Sequence, residues 1–377
     1  MCTWMPSLHP MKPIRNISLC LQWKHSSLIV ASIFLCTGCQ TDEILKATAK
    51  YASDSAKISE VYPAITNDFV ESCKRRATFE ALGESIKEPR VADRFYNERK
   101  RCFEGGVQSS SSIADTLNII NKLIVDYLKS LAGVAEANDY TDEIGKLAKS
   151  ISGLPGMSDS QQAKDTLEAS NTIASVLANQ LTKSYRASTI REAVVKSDRA
   201  LAVLTYSLSS ATYYGYLGGV SPAPGVNSSL GADNRPGLAR ENSLLNNYYG
   251  APIDASQLHL PRQPLQGFIE VSIYDKWIEE QGKLDAKRAV AHKYLRLLKD
   301  ITCDHTALRL LIEKNTTTSV DDANQNCKEP SKGGLNVNRR LGEGTATLED
   351  QLVLKLNSYH SRIEKLSLEY NNAFIVE

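Results

Sequence analysis

The sequence predicts an all-α fold, an elongated antiparallel bundle of long helices interrupted by one long Gly/Pro-rich connecting loop. Three observations carry this expectation. Ser158 to Tyr214 runs for fifty-seven residues without Gly or Pro. Two further stretches, Phe268 to Lys314 and Thr347 to Phe374, repeat apolar residues in alternating steps of three and four, the spacing of helices packed lengthwise on one another. Between the first two, Gly215 to Gly267 holds eight Gly and six Pro with few charges, a connection without helix or strand periodicity.

Taken in order, Pro63 to Leu82 reads as a helix with Ile65, Phe69, Cys73 and Ala77 on one face, opened by Pro63 and closed by Gly83. Pro89 to Phe103 repeats that plan. Ser109 to Ser112 supplies an N-cap for a helix carrying Ile113, Leu117, Ile120, Ile124, Leu128 and Leu131, with a break expected near Asp139 to Thr141. Leu154-Pro155-Gly156 is a turn. The long stretch then places Ala163, Leu167, Ser170, Ala174, Leu177 and Leu181 on one seam. A second seam holds Ile190, Val194, Ser197, Leu201, Leu204, Leu208 and Ala211, and the loss of phase predicts a bend or change of partner over Lys183 to Thr189. In the next long helix Val271, Tyr274, Ile278, Leu284, Ala291, Tyr294, Leu298, Ile301, Leu308 and Ile312 are read as one stripe, with Gly282 marking a close approach. The last helix shows Leu348, Leu352, Leu356, Tyr359, Ile363, Leu366 and Tyr370 at heptad spacing.

The N-terminus reads as an export signal. Lys12, Arg15 and Lys24 precede a short apolar run, Leu28 to Leu35, too short for a permanent membrane span, and Cys36-Thr37-Gly38-Cys39 closes it. Gly38-Cys39 resembles the lipobox of bacterial lipoproteins, although Cys36 stands where Leu is usual. The resemblance covers about the first forty residues. It implies cleavage after Gly38, lipidation of Cys39 and, with Gln40 rather than Asp next, anchoring to the outer membrane facing the periplasm. The implied organisation is a signal peptide over 1–38, a lipidated tether over 39–62, a helical hairpin over 63–108 and a long-helix bundle over 109–377 containing the 215–267 loop.

Removal of the leader leaves 41 basic against 43 acidic residues, a net charge of about −2, which argues against nucleic acid as a partner. It also leaves four cysteines besides Cys39. An even set in an exported chain reads as two disulfides, here Cys73–Cys102 and Cys303–Cys327, each worth on the order of 3 kcal/mol through loop closure. The rival reading is a metal site built on Cys303, His305 and Cys327. The first disulfide would gather Lys74, Arg75, Arg76, Arg99, Lys100 and Arg101, a candidate surface for anionic lipid, lipopolysaccharide phosphates or an acidic partner. Against it stands a solvated face balanced by Glu71, Glu80, Glu98 and Glu104.

Chemistry is sparse elsewhere. His259, His292, His305 and His360 lie in no metal or nucleophile pattern, and no Walker, Rossmann or GxSxG sequence is present. Glu279-Glu280 reads as surface charge, Asp321 to Asn326 as an incomplete calcium loop, and Tyr213, Tyr214, Tyr216, Tyr248 and Tyr249 as bundle caps or a stacking platform. No catalytic residue, metal or cofactor is expected. The expected function is that of a non-enzymatic envelope scaffold with a protein partner. The alternative is a cell-wall enzyme or ligand-binding lipoprotein with its site formed by the 215–267 loop against the bundle.

Overall fold

The computed structural model describes residues 48–50, 52–57, 61–83, 91–104, 106–132, 139–157, 160–178, 187–219, 237–250 and 264–313, together with 365, 368–369 and 373–374. The expectations for the leader, Cys39, Cys327, the acidic 321–326 stretch, His259, His360 and most of the 347–374 helix lie outside the described residues.

Eight α-helices are assigned: α1 Tyr62–Gly83, α2 Val91–Glu104, α3 Ser110–Leu131, α4 Thr141–Ser150, α5 Ser160–Val176, α6 Ala187–Ala211, α7 Gly237–Gly250 and α8 Pro264–Glu313. They form an all-α bundle, and no strand occurs among the described residues. Ser109 caps α3 as expected, its hydroxyl accepting from the Ser112 amide. The 139–141 break separates α3 from α4, and the Leu154-Pro155-Gly156 turn leads toward α5.

The α3 seam is buried at every expected position, and so is the second seam on α6 from Ile190 to Ala211. The α5 seam is corrected. Its buried face is Thr166, Ala169, Ser170, Ile173, Val176 and Leu177, while Ala163, Leu167 and Ala174 stand at its edge. Hydroxyls reach the interior because partners await them: Thr166 bonds the Gln162 carbonyl at 2.7 Å and Ser207 Oγ at 2.8 Å.

Side-chain pairs fix the directions. Thr205 meets Thr302 while Asp198 meets His305 and Arg309, so α6 and α8 are antiparallel. Tyr62 stacks on Tyr294 at 4.6 Å between centroids while Asp68 meets Lys287, so α1 opposes α8 as well. The α7 helix is also antiparallel to α8, with the Leu238 carbonyl on Arg288 and Asn246 on Trp277 and Gln281. Hence α1 and α7 run the same way, side by side.

Two expectations about the long connection and α8 fail. Residues 237–250, read as loop, are a helix that buries Leu238, Leu244 and Leu245 against α1 and α8. On α8, fifty residues and ~75 Å long, the single stripe divides. Leu284 to Leu308 face the core, whereas Val271, Tyr274 and Ile278 are 59%, 45% and 49% exposed. Ile278 and Lys287 are nine residues apart, half a turn out of phase at 100° per residue, so one faces outward when the other faces in. Gly282 marks no close approach, since a Cβ there would meet nothing within 4 Å.

Candidate functional site

Three helices carry ionic residues at positions where the three-four rhythm calls for apolar ones. On α1 the rhythm runs Ile65, Asp68, Ser72, Arg75, Phe79; on α7, Leu238, Glu241, Leu245, Tyr248; on α8, Leu284, Lys287, Ala291, Tyr294. Packing those faces together encloses Asp68, Glu241 and Lys287, each 5% exposed or less. Lys287 Nζ donates to Asp68 Oδ1 at 3.0 Å, and Arg75 Nη2 reaches the same oxygen at 3.0 Å. Arg75 also grips Glu241 through Nε at 2.5 Å and Nη2 at 3.2 Å, and Ser72 donates to Glu241 Oε2 at 2.6 Å. Two cations thus meet two carboxylates. Burial pulls the Arg75 guanidinium down, but Glu241 and Asp68 outweigh it and hold it firmly protonated, above its ordinary range.

Tyr216 completes this network, donating to Asp68 Oδ2 at 2.5 Å. Burial first, then the Asp68 charge, pushes its phenol well above the usual value, so it serves as a neutral donor. It is delivered by a π-helical turn, Thr212–Tyr216, that ends α6. Glycines let the chain close around it. A Cβ on Gly215 would sit 2.6 Å from Pro155 Cγ, and one on Gly237, whose φ is +61°, would sit 2.0 Å from the Tyr216 carbonyl oxygen.

A second polar layer crosses the bundle at Tyr127 on α3 and His305 on α8, both at seam positions and both 0% exposed. His305 Nδ1 lies 2.9 Å from Asp198 Oδ1, and Nε2 lies 2.8 Å from Tyr127 Oη. An ionised carboxylate only accepts, so Nδ1 carries a proton; in the neutral ring Nε2 then accepts from the tyrosine. Burial raises the Asp198 carboxyl, but His305, Arg309 and Thr306 together hold it below the ordinary range. Burial drives Tyr127 far upward. These groups can hold helices in register and keep a proton fixed at Nδ1.

His305 therefore commits both ring nitrogens to protein partners. Cys303 is disulfide-bonded, which removes two ligands of the rival metal reading; Cys327 lies outside the described residues. Cys73 and Cys102 are joined, with Cα atoms 5.9 Å apart, stapling α1 to α2.

The staple does not gather six free cations. Arg75 turns into the seam, and Arg76 has its Nε enclosed. Lys74 pairs with Glu71 at 2.5 Å and lies over the Phe103 ring. Arg99 lies over Phe95, Lys100 pairs with Glu104 at 3.0 Å, and Arg101 pairs with Glu98 at 2.9 Å. The side chains diverge because successive helical positions are 100° apart.

The tyrosines likewise separate. Tyr216 is buried, Tyr213 and Tyr214 form one edge-on pair, and Tyr248 and Tyr249 form another beside Phe79. Glu279 and Glu280, though adjacent, both embrace Lys276 and Lys283 at 2.8–3.1 Å. His292 is half-buried or less, and burial with Arg296 and Arg288 lowers its pKa. Of the connection expected to form a ligand site, the described part is the start of that segment and α7, and α7 contributes Glu241 to the ionic seam.

Asp68, Glu241, Lys287, Tyr216, Tyr127 and Asp198 were not singled out from the sequence. The available signal was a charge at a seam position: Asp68 between Ile65 and Phe69, and Lys287 between Leu284 and Val290, with opposite signs. No protein-family model, curated protein or solved structure matches this chain.

Proposed function

We propose that the protein is an exported lipoprotein, anchored through Cys39 to the outer membrane, whose helical bundle serves as a scaffold for envelope assembly and not as an enzyme. The observation that carries this reading is the ionic seam. Asp68, Arg75, Glu241 and Lys287 neutralise one another between α1, α7 and α8, so the strongest chemistry in the described bundle holds helices in place. Polar groups at seam positions select one register among many that apolar packing alone would accept. A scaffold needs that kind of rigidity.

Two further features support export. The Cys73–Cys102 bond belongs to an oxidising compartment, and Gly38-Cys39-Gln40 resembles the processing site of outer-membrane lipoproteins. Replacing Cys39 by Ser tests anchoring. The expected result is loss of metabolic fatty-acid labelling and release of the protein from the membrane fraction. Unchanged labelling and sedimentation of the variant would refute it.

A further inference from the structure

We propose that Arg76, assisted by Arg240, forms an oxyanion site for a phosphate group on the seam between α1 and α7. This goes beyond the scaffold reading and does not depend on it.

The argument begins with the carboxylates around Arg76 and where they are committed. Glu80 lies one turn further along α1, the usual place for an intrahelical partner. It instead accepts from Arg240 Nε of α7 at 3.3 Å. Glu241 is held by Arg75 and Ser72. Arg76 forms no hydrogen bond or ion pair among the described residues, and its Nε is closed off from solvent. Across this seam Arg75, Arg76, Arg240 and Lys287 face Asp68, Glu80 and Glu241, leaving one positive charge in excess.

An enclosed cation without a counter-charge is unfavourable, whereas the planar guanidinium fork matches the paired oxygens of a phosphate. Arg76 is only half-buried, so its terminal edge remains within reach from outside. A second guanidinium stands within electrostatic range on α7. Two arginines facing one small entrance favour a compact, doubly charged oxyanion. Phosphate fits that description, whether free in solution or at the end of a lipid headgroup.

The test uses the full chain with its disulfides intact, the wild type beside Arg76→Gln and Arg76→Lys. Isothermal titration with inorganic phosphate at constant ionic strength reads the free-phosphate arm. Flotation with phosphatidylcholine vesicles, with and without phosphatidic acid, reads the headgroup arm. In at least one arm the wild type binds, Arg76→Gln binds at least about ten-fold more weakly, and Arg76→Lys falls between. Arg76→Gln is also expected to unfold at the same or a higher temperature than the wild type in phosphate-free buffer, because it removes the excess charge. Binding in neither arm, or equal binding by wild type and Arg76→Gln, overturns the proposal. A variant that has lost its thermal transition is replaced in this comparison by Arg76→Lys, for which binding equal to that of a charge-neutral Arg240→Gln counts against the site.

Discussion

Replacing Lys287 by Met probes the ionic seam directly. Met keeps the length of the stem and its packing while deleting the ammonium. The lost contact is the 3.0 Å bond to Asp68, between side chains only 4% and 5% exposed. Breaking a buried pair by removing one partner costs roughly 3–5 kcal/mol, because the remaining charge stays enclosed. Here Asp68 keeps Arg75 and Tyr216 as donors, which places the expected loss at the lower end, about 3 kcal/mol. Asp68→Asn in the same chain restores neutrality and leaves an oxygen to accept from Arg75 and Tyr216. The double variant should therefore regain at least about 1 kcal/mol over the sum of the two single losses, the coupling expected of groups in contact. Urea unfolding followed by far-UV circular dichroism, with disulfides intact, supplies the four free energies of the cycle. A Lys287→Met loss under about 0.5 kcal/mol, or strictly additive effects, would refute the reasoning.

Three other outcomes are expected. Gly282→Ala should stabilise α8 by up to about 1 kcal/mol, since the new Cβ meets nothing within 4 Å; a lower denaturation midpoint would show that a neighbour does crowd that position. Reducing the Cys73–Cys102 bond, which closes a sequence separation of 29, should remove about 3–4 kcal/mol by loop-closure entropy, checked with Cys73→Ala/Cys102→Ala under the same unfolding conditions. Glu279, bonded by Lys283 and Lys276, has its carboxyl lowered to about 2. A depressed carboxylate stabilises the fold above its unfolded value and loses that contribution as pH falls through the folded one, so the contribution should fade between about 4.5 and 2. Carboxyl NMR titration reads this, and an ordinary Glu midpoint for that resonance would contradict the bracketing by two lysines.

What the sequence made legible was burial along strongly periodic helices. The α3 and α6 seams were readable because Ile, Leu and Val recur there without interruption, and the Cys73–Cys102 staple because few cysteines remain after the leader. The α7 helix was hidden by the surrounding Gly and Pro. Its Leu238, Glu241, Leu245, Tyr248 rhythm is short, and tertiary contact with Arg75 and Ser72 stabilises what propensity alone would leave open. On α8, Val271 to Ile278 were misassigned because periodicity shows that residues share a face, not which face meets the core. The ionic seam was missed for a related reason. Each charge looks solvated in its own segment, and only the joining of distant segments shows that Asp68 lies beside Lys287, 219 residues away. Likewise the six cations near the first disulfide were adjacent in sequence but not in direction.

The most direct test of the scaffold reading is crosslinking of the native lipoprotein in its own membranes, followed by mass spectrometry of what is captured. The account predicts a complex of fixed composition, with crosslinks on helix faces, that persists when the membrane is solubilised. Recovery of the protein alone, under conditions that capture a known envelope complex, would contradict it.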